Sequence, residues 1–242
     1  YSASVLATAP ANLVGYWRMG DAGPNLADSG PAGAAGLFTA TGAAGMQYAQ
    51  SGALNNDLNG SLVMPGALTS FFSNPGNTSL GSLNDIFTLT AWVKRGVNGV
   101  EHTIICWNTV GPVVVLTTVG LVQFGKQNVA WLVSTVAAIV DTNWHFVAIT
   151  KSGAAMAIYI DGNVQALTTI SPNAAIATTP TMPVFLGINS SKTTGAWNGS
   201  LDETALWNIA LSAGQIATLY NTGLQYIAGT ATTNPYPVEE II

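Results

Sequence analysis

The chain has 242 residues, 48% of them hydrophobic and only 7% charged, with a net charge of −5 and six Lys plus Arg. Neutralising phosphates takes a basic patch, so this balance excludes nucleic acid as a partner, and it argues equally against an anionic membrane surface. A disordered chain would show few apolar and many charged residues, the reverse of what is seen.

No apolar run approaches the roughly 20 residues that span a bilayer, which excludes membrane insertion by a helix. The richest run, Val113 to Phe124, is broken by Thr117, Thr118 and Gly120. These features describe a large core under a surface of hydroxyls and amides. Two explanations of the low charge stay open: a surface covered by neighbours in an assembly, where ionic groups are costly to bury, or a biased overall composition. Cys106 is the single cysteine, so no internal disulfide can form; between Ile105 and Trp107 it reads as a small buried hydrophobe.

In chain order, residues 1–12 are small and polar and read as an N-terminal arm closed by Pro10. Val14 to Met19 alternates as a first strand. Gly20 to Gly36 is a long loop dense in Gly, Pro, Asp and Asn. Short strands are expected at Leu37 to Ala40 and Ser61 to Met64, with a loop-rich region between them. Ile86 to Lys94, IFTLTAWVK, has period-2 alternation and β-branched and aromatic enrichment. Further strands are expected at Thr103–Trp107, Val113–Thr118, Leu121–Gly125 and Ala130–Val136.

Trp144 to Lys151 carries bulk on both faces, which predicts a central strand, and Trp144, like Trp92, is expected in the core. Ser152-Gly153 predicts a tight hairpin loop and Asp161-Gly162 a type I′ turn, so that residues up to Thr169 form a three-strand meander. Strands at Val184–Ile188 and Ser200–Asn208 follow, flanking a polar loop that contains Trp197. Ser212 with Gln215 makes a capping box that opens one helix, expected to end at Asn221 with Gly223 as its stop. The tail, residues 224–242, reads as extended. Many strands, one helix and no helical crossovers specify an all-β antiparallel sandwich of two sheets with one short C-terminal helix.

Catalysis finds little support. Glycosidases need two carboxylates on one face of the reacting centre, and alternate residues share a strand face. The acids here are scattered, and Asp202-Glu203 are adjacent, hence expected on opposite faces. His102 and His145 are the only imidazoles, and His145 reads as a strand histidine. There is no H-E-x-x-H, C-x-x-C, G-x-S-x-G or phosphate-binding glycine pattern.

LVGYWRMGD (13–21), ADSG (27–30), FTLTAWVK (87–94), WHFVAITKSGAAMAIYIDGNV (144–164), FLGI (185–188) and GSLDETALWNIALSAGQIATLYNTG (199–223) together resemble the laminin G-like group of concanavalin A-like lectin/glucanase domains. The resemblance covers residues 13–223 and implies a jelly roll with one flat and one concave sheet. It also implies a rim calcium ion, with ligands among Asp21, Asp28 and Asp202. A glycan would be held on the concave sheet or the rim loops, by aromatic faces and amides. Trp197 with Asn189 and Asn198 is the first candidate set, and Trp107 and Asn108 with Trp131 the second; for each Trp the competing reading is core packing. Three functions follow: a structural or adhesive module of a virion or extracellular assembly, contacting neighbouring chains through its terminal arms; a carbohydrate-binding module of a secreted protein; and, least supported, a glycoside hydrolase.

Overall fold

The structure is a computed structural model that describes residues 1–54, 57–76, 80, 83, 85–108, 111–126, 130–170, 178 and 182–227. The chain opens with α1 (Ser2–Ala7) and a 3-10 turn at Pro10–Asn12. The first strands are β1 (Leu13–Trp17), β2 (Asn25–Leu26), β3 (Phe38–Thr41), β4 (Gln47–Gln50), β5 (Ser61–Pro65) and β6 (Phe71–Asn74). Next come β7 (Ile86–Arg95), β8 (His102–Trp107), β9 (Pro112–Leu116), β10 (Leu121–Lys126) and β11 (Ala130–Ala138). The last are β12 (Trp144–Ser152), β13 (Ala155–Ile160), β14 (Asn163–Val164), β15 (Leu167–Thr169), β16 (Val184–Leu186) and β17 (Asn198–Trp207), followed by α2 (Ala213–Ile227).

The strands form two antiparallel sheets. One has eight strands in the order β14-β13-β12-β7-β17-β5-β4, with β1 added on β17. The other has nine, in the order β15-β11-β10-β9-β8-β16-β6-β3-β2. Between them lies the main core, including Trp17, Phe38, Phe72, Phe87, Phe124, Trp107 and Trp197. Period-2 alternation sends Phe87, Leu89, Ala91 and Val93 of β7 inward and leaves Trp92 on the outer face. A second apolar layer covers that outer face, where Tyr1 and Val5 of the N-terminal segment and Ile216 and Leu219 of α2 meet Trp92, Phe146 and Trp207. Trp92 stacks on Tyr220 with ring centroids 5.9 Å apart.

The sequence-level turn chemistry holds. Asp161 and Gly162 have φ of 50° and 74°, as a type I′ turn demands, and β12 pairs with both β7 and β13, as a central strand must. Ser212 and Gln215 exchange capping-box hydrogen bonds, with Gln215 Oε1 accepting from Ser212 N–H at 2.9 Å.

Four expectations need correction. Residues 1–12 fold back on the sandwich: Tyr1 and Val5, four apart, share the buried face of α1, and the Trp207 indole N–H donates to the Thr8 carbonyl at 2.8 Å. The strand expected at 163–169 divides, because β14 pairs β13 in one sheet while β15 pairs β11 in the other. Trp144 is only half buried, at the edge of the outer layer. Gly223 lies inside α2, which continues to Ile227; the rest of the tail, 228–242, is outside the described residues. Gly223 sits where α2 presses on Trp92: a Cβ there would lie 2.4 Å from Trp92 Cζ2.

That contact decides between two opposed effects. Alanine in a helix interior is favoured over glycine by about 1 kcal/mol, whereas overpacking a filled contact costs about 1–3 kcal/mol. Trp92 is hemmed in by Phe146 and Tyr220, so overpacking wins. Gly223→Ala is therefore expected to lower the urea midpoint; a raised midpoint would show that α2 stands off the sheet.

Candidate functional site

Two places in the sandwich concentrate polar chemistry: an acidic centre on the outer face of the first sheet, and an open cavity at one rim.

The acidic centre arises from a bulge in β17. Its register against β7 shifts between Asp202 and Ala205, and Glu203 takes φ 48°. Leu201 and Leu206 both face the inter-sheet core, although regular alternation would put residues five apart on opposite faces. The extra residue turns Asp202 and Glu203 to the same, outer side, which corrects the expectation that they diverge. The Tyr16 hydroxyl donates to Glu203 Oε2, and Arg18 Nε reaches Glu203 Oε1 at 3.3 Å while its Nη2 meets Asp57 Oδ1 at 2.6 Å. Asp202 Oδ2 accepts from Ala53 N–H at 2.8 Å, and among the described residues its buried Oδ1 has no hydrogen-bond partner. Burial, above all, pushes Glu203 up to about 7 and Asp202 upward in the same direction, with the charge of Glu203 adding to the latter.

Two carboxylates with raised pKa values resemble an acid–base pair. Both are 1% exposed. A neighbouring cavity of about 390 Å³ is lined by Gly20, residues 49–52, Leu54 and residues 57–60, and includes neither carboxylate. Nothing the size of a sugar reaches them, so they hold structure together.

The implied calcium ligands do not converge. Asp28 Oδ1 accepts from Tyr16 N–H and Gly30 N–H, both at 2.7 Å, and Gly36 packs against its other oxygen, shaping the loop that follows. Asp21 takes Ala27 N–H at 3.3 Å on an exposed loop. Asp202 is buried beneath Ala53. Among the described residues no three His, Cys, Asp or Glu side chains form a metal-sized group. A hard cation takes about six to eight oxygens, and the guanidinium of Arg18 already supplies the positive charge beside Glu203 and Asp57. The three-aspartate set does not fit a calcium site.

The rim cavity, about 430 Å³, opens between the β5–β6, β7–β8 and β16–β17 connections. Leu68, Val97 and Val100 form apolar walls that are 43, 41 and 44% exposed. Glu101, Thr194 and Asn198 supply the polar side chains. Glycines make the room: a Cβ at 66 or 96 would lie within 2.8 Å of the Asn198 side chain, and one at 195 would lie 2.4 Å from Thr103 Oγ1 and 3.3 Å from Glu101 Oε1. Behind the wall, His102 Nδ1 accepts from Asn198 N–H at 3.1 Å. Nε2 therefore carries the ring proton and donates to Val97 O at 3.1 Å. Burial holds His102 below its usual pKa, so the ring is a neutral cross-link between two cavity loops.

The proposed aromatic platforms are elsewhere. Trp197 is wholly buried and packs edge-on against His102, 5.3 Å between centroids. Asn189 is also buried; its amide organises the 189–194 loop, taking Ser191 Oγ and Lys192 N–H on Oδ1 and giving Nδ2 to Thr194 Oγ1. Asn198 alone of that trio lines the cavity. Trp107 is buried with its N–H on the Leu80 carbonyl at 2.9 Å, and Asn108 turns the chain at φ 42°; the Trp131 side chain lies outside the described residues. A large ring pays most when buried, which is why the tryptophans went to the core. Leu68, Val97, Val100 and Glu101 were missed; the exposed valines of the turn-like GVNGVE (96–101) were the available signal.

Two remaining groups are settled by their surroundings. Burial pushes the Cys106 thiol up to about 12, so it is no nucleophile. His145 bridges Asp161 Oδ2 at 2.7 Å and Asp141 Oδ1 at 2.9 Å; these bonds, Asp161 first, raise it to about 9. It is a cationic clasp on the β13–β14 turn.

With this geometry in hand, the chain proves to match the family model described as the concanavalin A-like lectin/glucanases superfamily over residues 71–217, more than half its length. It belongs to that family. No curated protein matches its sequence. Among solved structures it is similar to domain 4 of AbnA, an extracellular arabinanase from Geobacillus stearothermophilus in complex with arabinotriose. That match has TM-score 0.67 and 18% identity and covers 86% of this chain and 98% of that one. A botulinum neurotoxin type C structure, whose cell entry is described as dependent on two ganglioside molecules, matches with TM-score 0.65 and 16% identity over 88% of this chain and 51% of that one. Trypanosoma rangeli sialidase with sialic acid matches with TM-score 0.63 and 16% identity over 89% and 34%. The chain thus spans about half the length of the neurotoxin chain and a third of the sialidase. At these identities the likeness is one of fold.

Two measurements test the electrostatics. Glu203 is buried but Arg18 is partly exposed, so solvent screening discounts the cost of breaking a fully buried pair, and Arg18→Met is expected to destabilise by about 1–3 kcal/mol in chemical denaturation. A chelator should leave the melting temperature of the unaltered chain in place, and a clear drop would contradict the misfit of calcium. For His145, the folded pKa lies above the unfolded value of about 6.5. Its contribution is complete below about pH 6.5 and is lost as pH rises through about 9. His145→Gln should flatten the fall in stability between pH 6.5 and 9.5; an unchanged profile would place that titration elsewhere.

Proposed function

We propose that this chain is a non-catalytic, lectin-like surface module that holds glycans at its rim cavity and serves in adhesion or assembly on a virion or other extracellular surface. The observation that carries the reading is the division of its polar groups. The buried carboxylates are committed to the sandwich, while the rim cavity combines apolar walls with a carboxylate, an amide and a hydroxyl. Pockets of about 300–1,000 Å³ with mostly apolar linings and a few convergent polar groups suit small ligands. Family membership adds weight, since lectins share this fold. So does the arabinanase domain bound to arabinotriose, a close match in size.

Hydrolysis is the weaker reading because it needs two carboxylates flanking a bond, with about 5–10 Å between them, and the cavity lining offers Glu101 alone. A carbohydrate-binding module of a secreted protein uses the same site and differs only in what the chain is joined to. The assembly role has lost one support, since α1 packs on its own sandwich, and rests on the low content of charged residues. Among the described residues no helix is long and apolar enough to cross a membrane.

A glycan array followed by product analysis on its hits tests both halves. The expected result is binding to a subset of glycans with no sugar released. Reducing-end release abolished by Glu101→Gln would make the chain a hydrolase, and an array blank at high protein concentration would remove the lectin reading. Light scattering tests the assembly role: oligomers or a complex with a virion protein are expected, and a strict monomer contradicts it.

A further inference from the structure

The rim cavity has a mixed lining. Leu68, Val97 and Val100 contribute apolar side chains, and Glu101, Thr194 and Asn198 contribute polar ones. Glu101 is the only charged residue in the lining, and no Lys, Arg or protonated His accompanies it. Lys192, the nearest cation of the 189–194 loop, is turned away onto the rings of Phe71 and Phe185, 5.2 and 4.9 Å from their centroids. His102 is held neutral, with both ring nitrogens engaged by backbone.

The polar groups have directions as well as composition. Thr194 Oγ1 accepts from Asn189 Nδ2 at 2.5 Å, which leaves its hydroxyl proton for another acceptor. Asn198 Nδ2 spends one N–H on Pro65 O at 3.3 Å and keeps the second. Glu101 offers an acceptor carboxylate; no hydrogen bond to a protein group occupies it among the described contacts. The site therefore presents one strong acceptor and two donors in a lining that also carries three apolar side chains.

We infer that the cavity recognises a neutral N-acetylated hexose, the acetamido methyl lying against Leu68, Val97 and Val100, its N–H donating to Glu101, and its carbonyl accepting from Asn198 or Thr194. An acetamido group has this set of one donor, one acceptor and one methyl in a single plane. A plain hexose leaves the apolar wall unfilled. An acidic sugar brings a second negative charge toward Glu101 with no cation in the lining to offset it, and like charges in a partly desolvated site repel strongly. The shape of the recess depends on glycine: a Cβ at 195 would meet Thr103 and crowd Glu101.

This inference rests on the lectin reading, and the test separates the two. The full chain is titrated by calorimetry with N-acetylglucosamine, N-acetylgalactosamine, glucose, galactose, fucose and N-acetylneuraminic acid. One well-placed methyl in an apolar pocket is worth about tenfold or more, so the N-acetylated hexoses should bind at least about tenfold tighter than glucose and galactose, and N-acetylneuraminic acid should not compete. Val100→Lys should abolish binding by filling the cavity, and Glu101→Gln should weaken the neutral ligands while narrowing their advantage over the acidic one. Unfolding midpoints of both variants confirm that they are folded. Preference for fucose or for the acidic sugar overturns the assigned ligand class. Binding of any sugar that survives both substitutions overturns the site and leaves the lectin reading standing. No binding to any of the six, together with a blank array, overturns both.

Discussion

The placement of one guanidinium organises the first sheet. A single extra residue at Glu203 turns two carboxylates into the same buried space. Two ionised carboxylates there would repel each other across a poorly polarisable medium, at a cost of several kcal/mol. Arg18 meets the charge of Glu203 and ties it to Asp57, while burial favours the protonated form of Asp202. Three distant parts of the chain are joined by that contact: the edge strand β1 that leads to Arg18, the loop after β4, and the last strand. Tyr16 and Ala53 add hydrogen bonds to Glu203 and Asp202, and α1 packs with Leu54 in the apolar layer over this face. The upward shift of both acids then follows from burial. A pair with raised pKa values, often a mark of function, is here a product of closing the sheet.

Because the acidic centre is sealed, the proposed recognition site lies in the loops. The rim cavity is built by connections from both sheets, and its side chains are positioned by groups one layer deeper: the neutral His102 ring tying Val97 to Asn198, and the Asn189 amide tying the 189–194 loop. Both are short-range devices that fix backbone carbonyls and N–H groups. Trp197 packs behind them and supplies rigidity through area buried. The tryptophan that looked like a ligand platform contributes to the site from behind.

Much of the fold was legible in the sequence. Strand periodicity, the Asp161-Gly162 turn and the Ser212–Gln215 capping box act locally, so local residue patterns report them. What failed to show has a common cause in contacts between distant residues. Glu203 in a left-handed conformation cannot be read from SLDET, because the bulge is set by pairing with β7 and β1. Gly223 reads as a helix stop until Trp92, far away in sequence, is seen to need its missing side chain. Of the candidate site residues, Asn198 was legible as an amide in a polar loop. Glu101 and the exposed valines were hidden, since an apolar side chain gives no sign in sequence of whether it faces core or solvent. The aspartates suggested for a cation were each plausible singly, and each is engaged by a different stretch of backbone.

The central claim is that the carboxylates of the first sheet are structural and that recognition takes place at the rim. Amide chemical-shift mapping during titration with N-acetylglucosamine tests it most directly. The account predicts shifts concentrated at residues 66–68, 97–101 and 194–198, with residues 49–60 unmoved. Shifts centred on 49–60 and on Asp202 and Glu203 would contradict it and would return the acidic centre to the role of binding site.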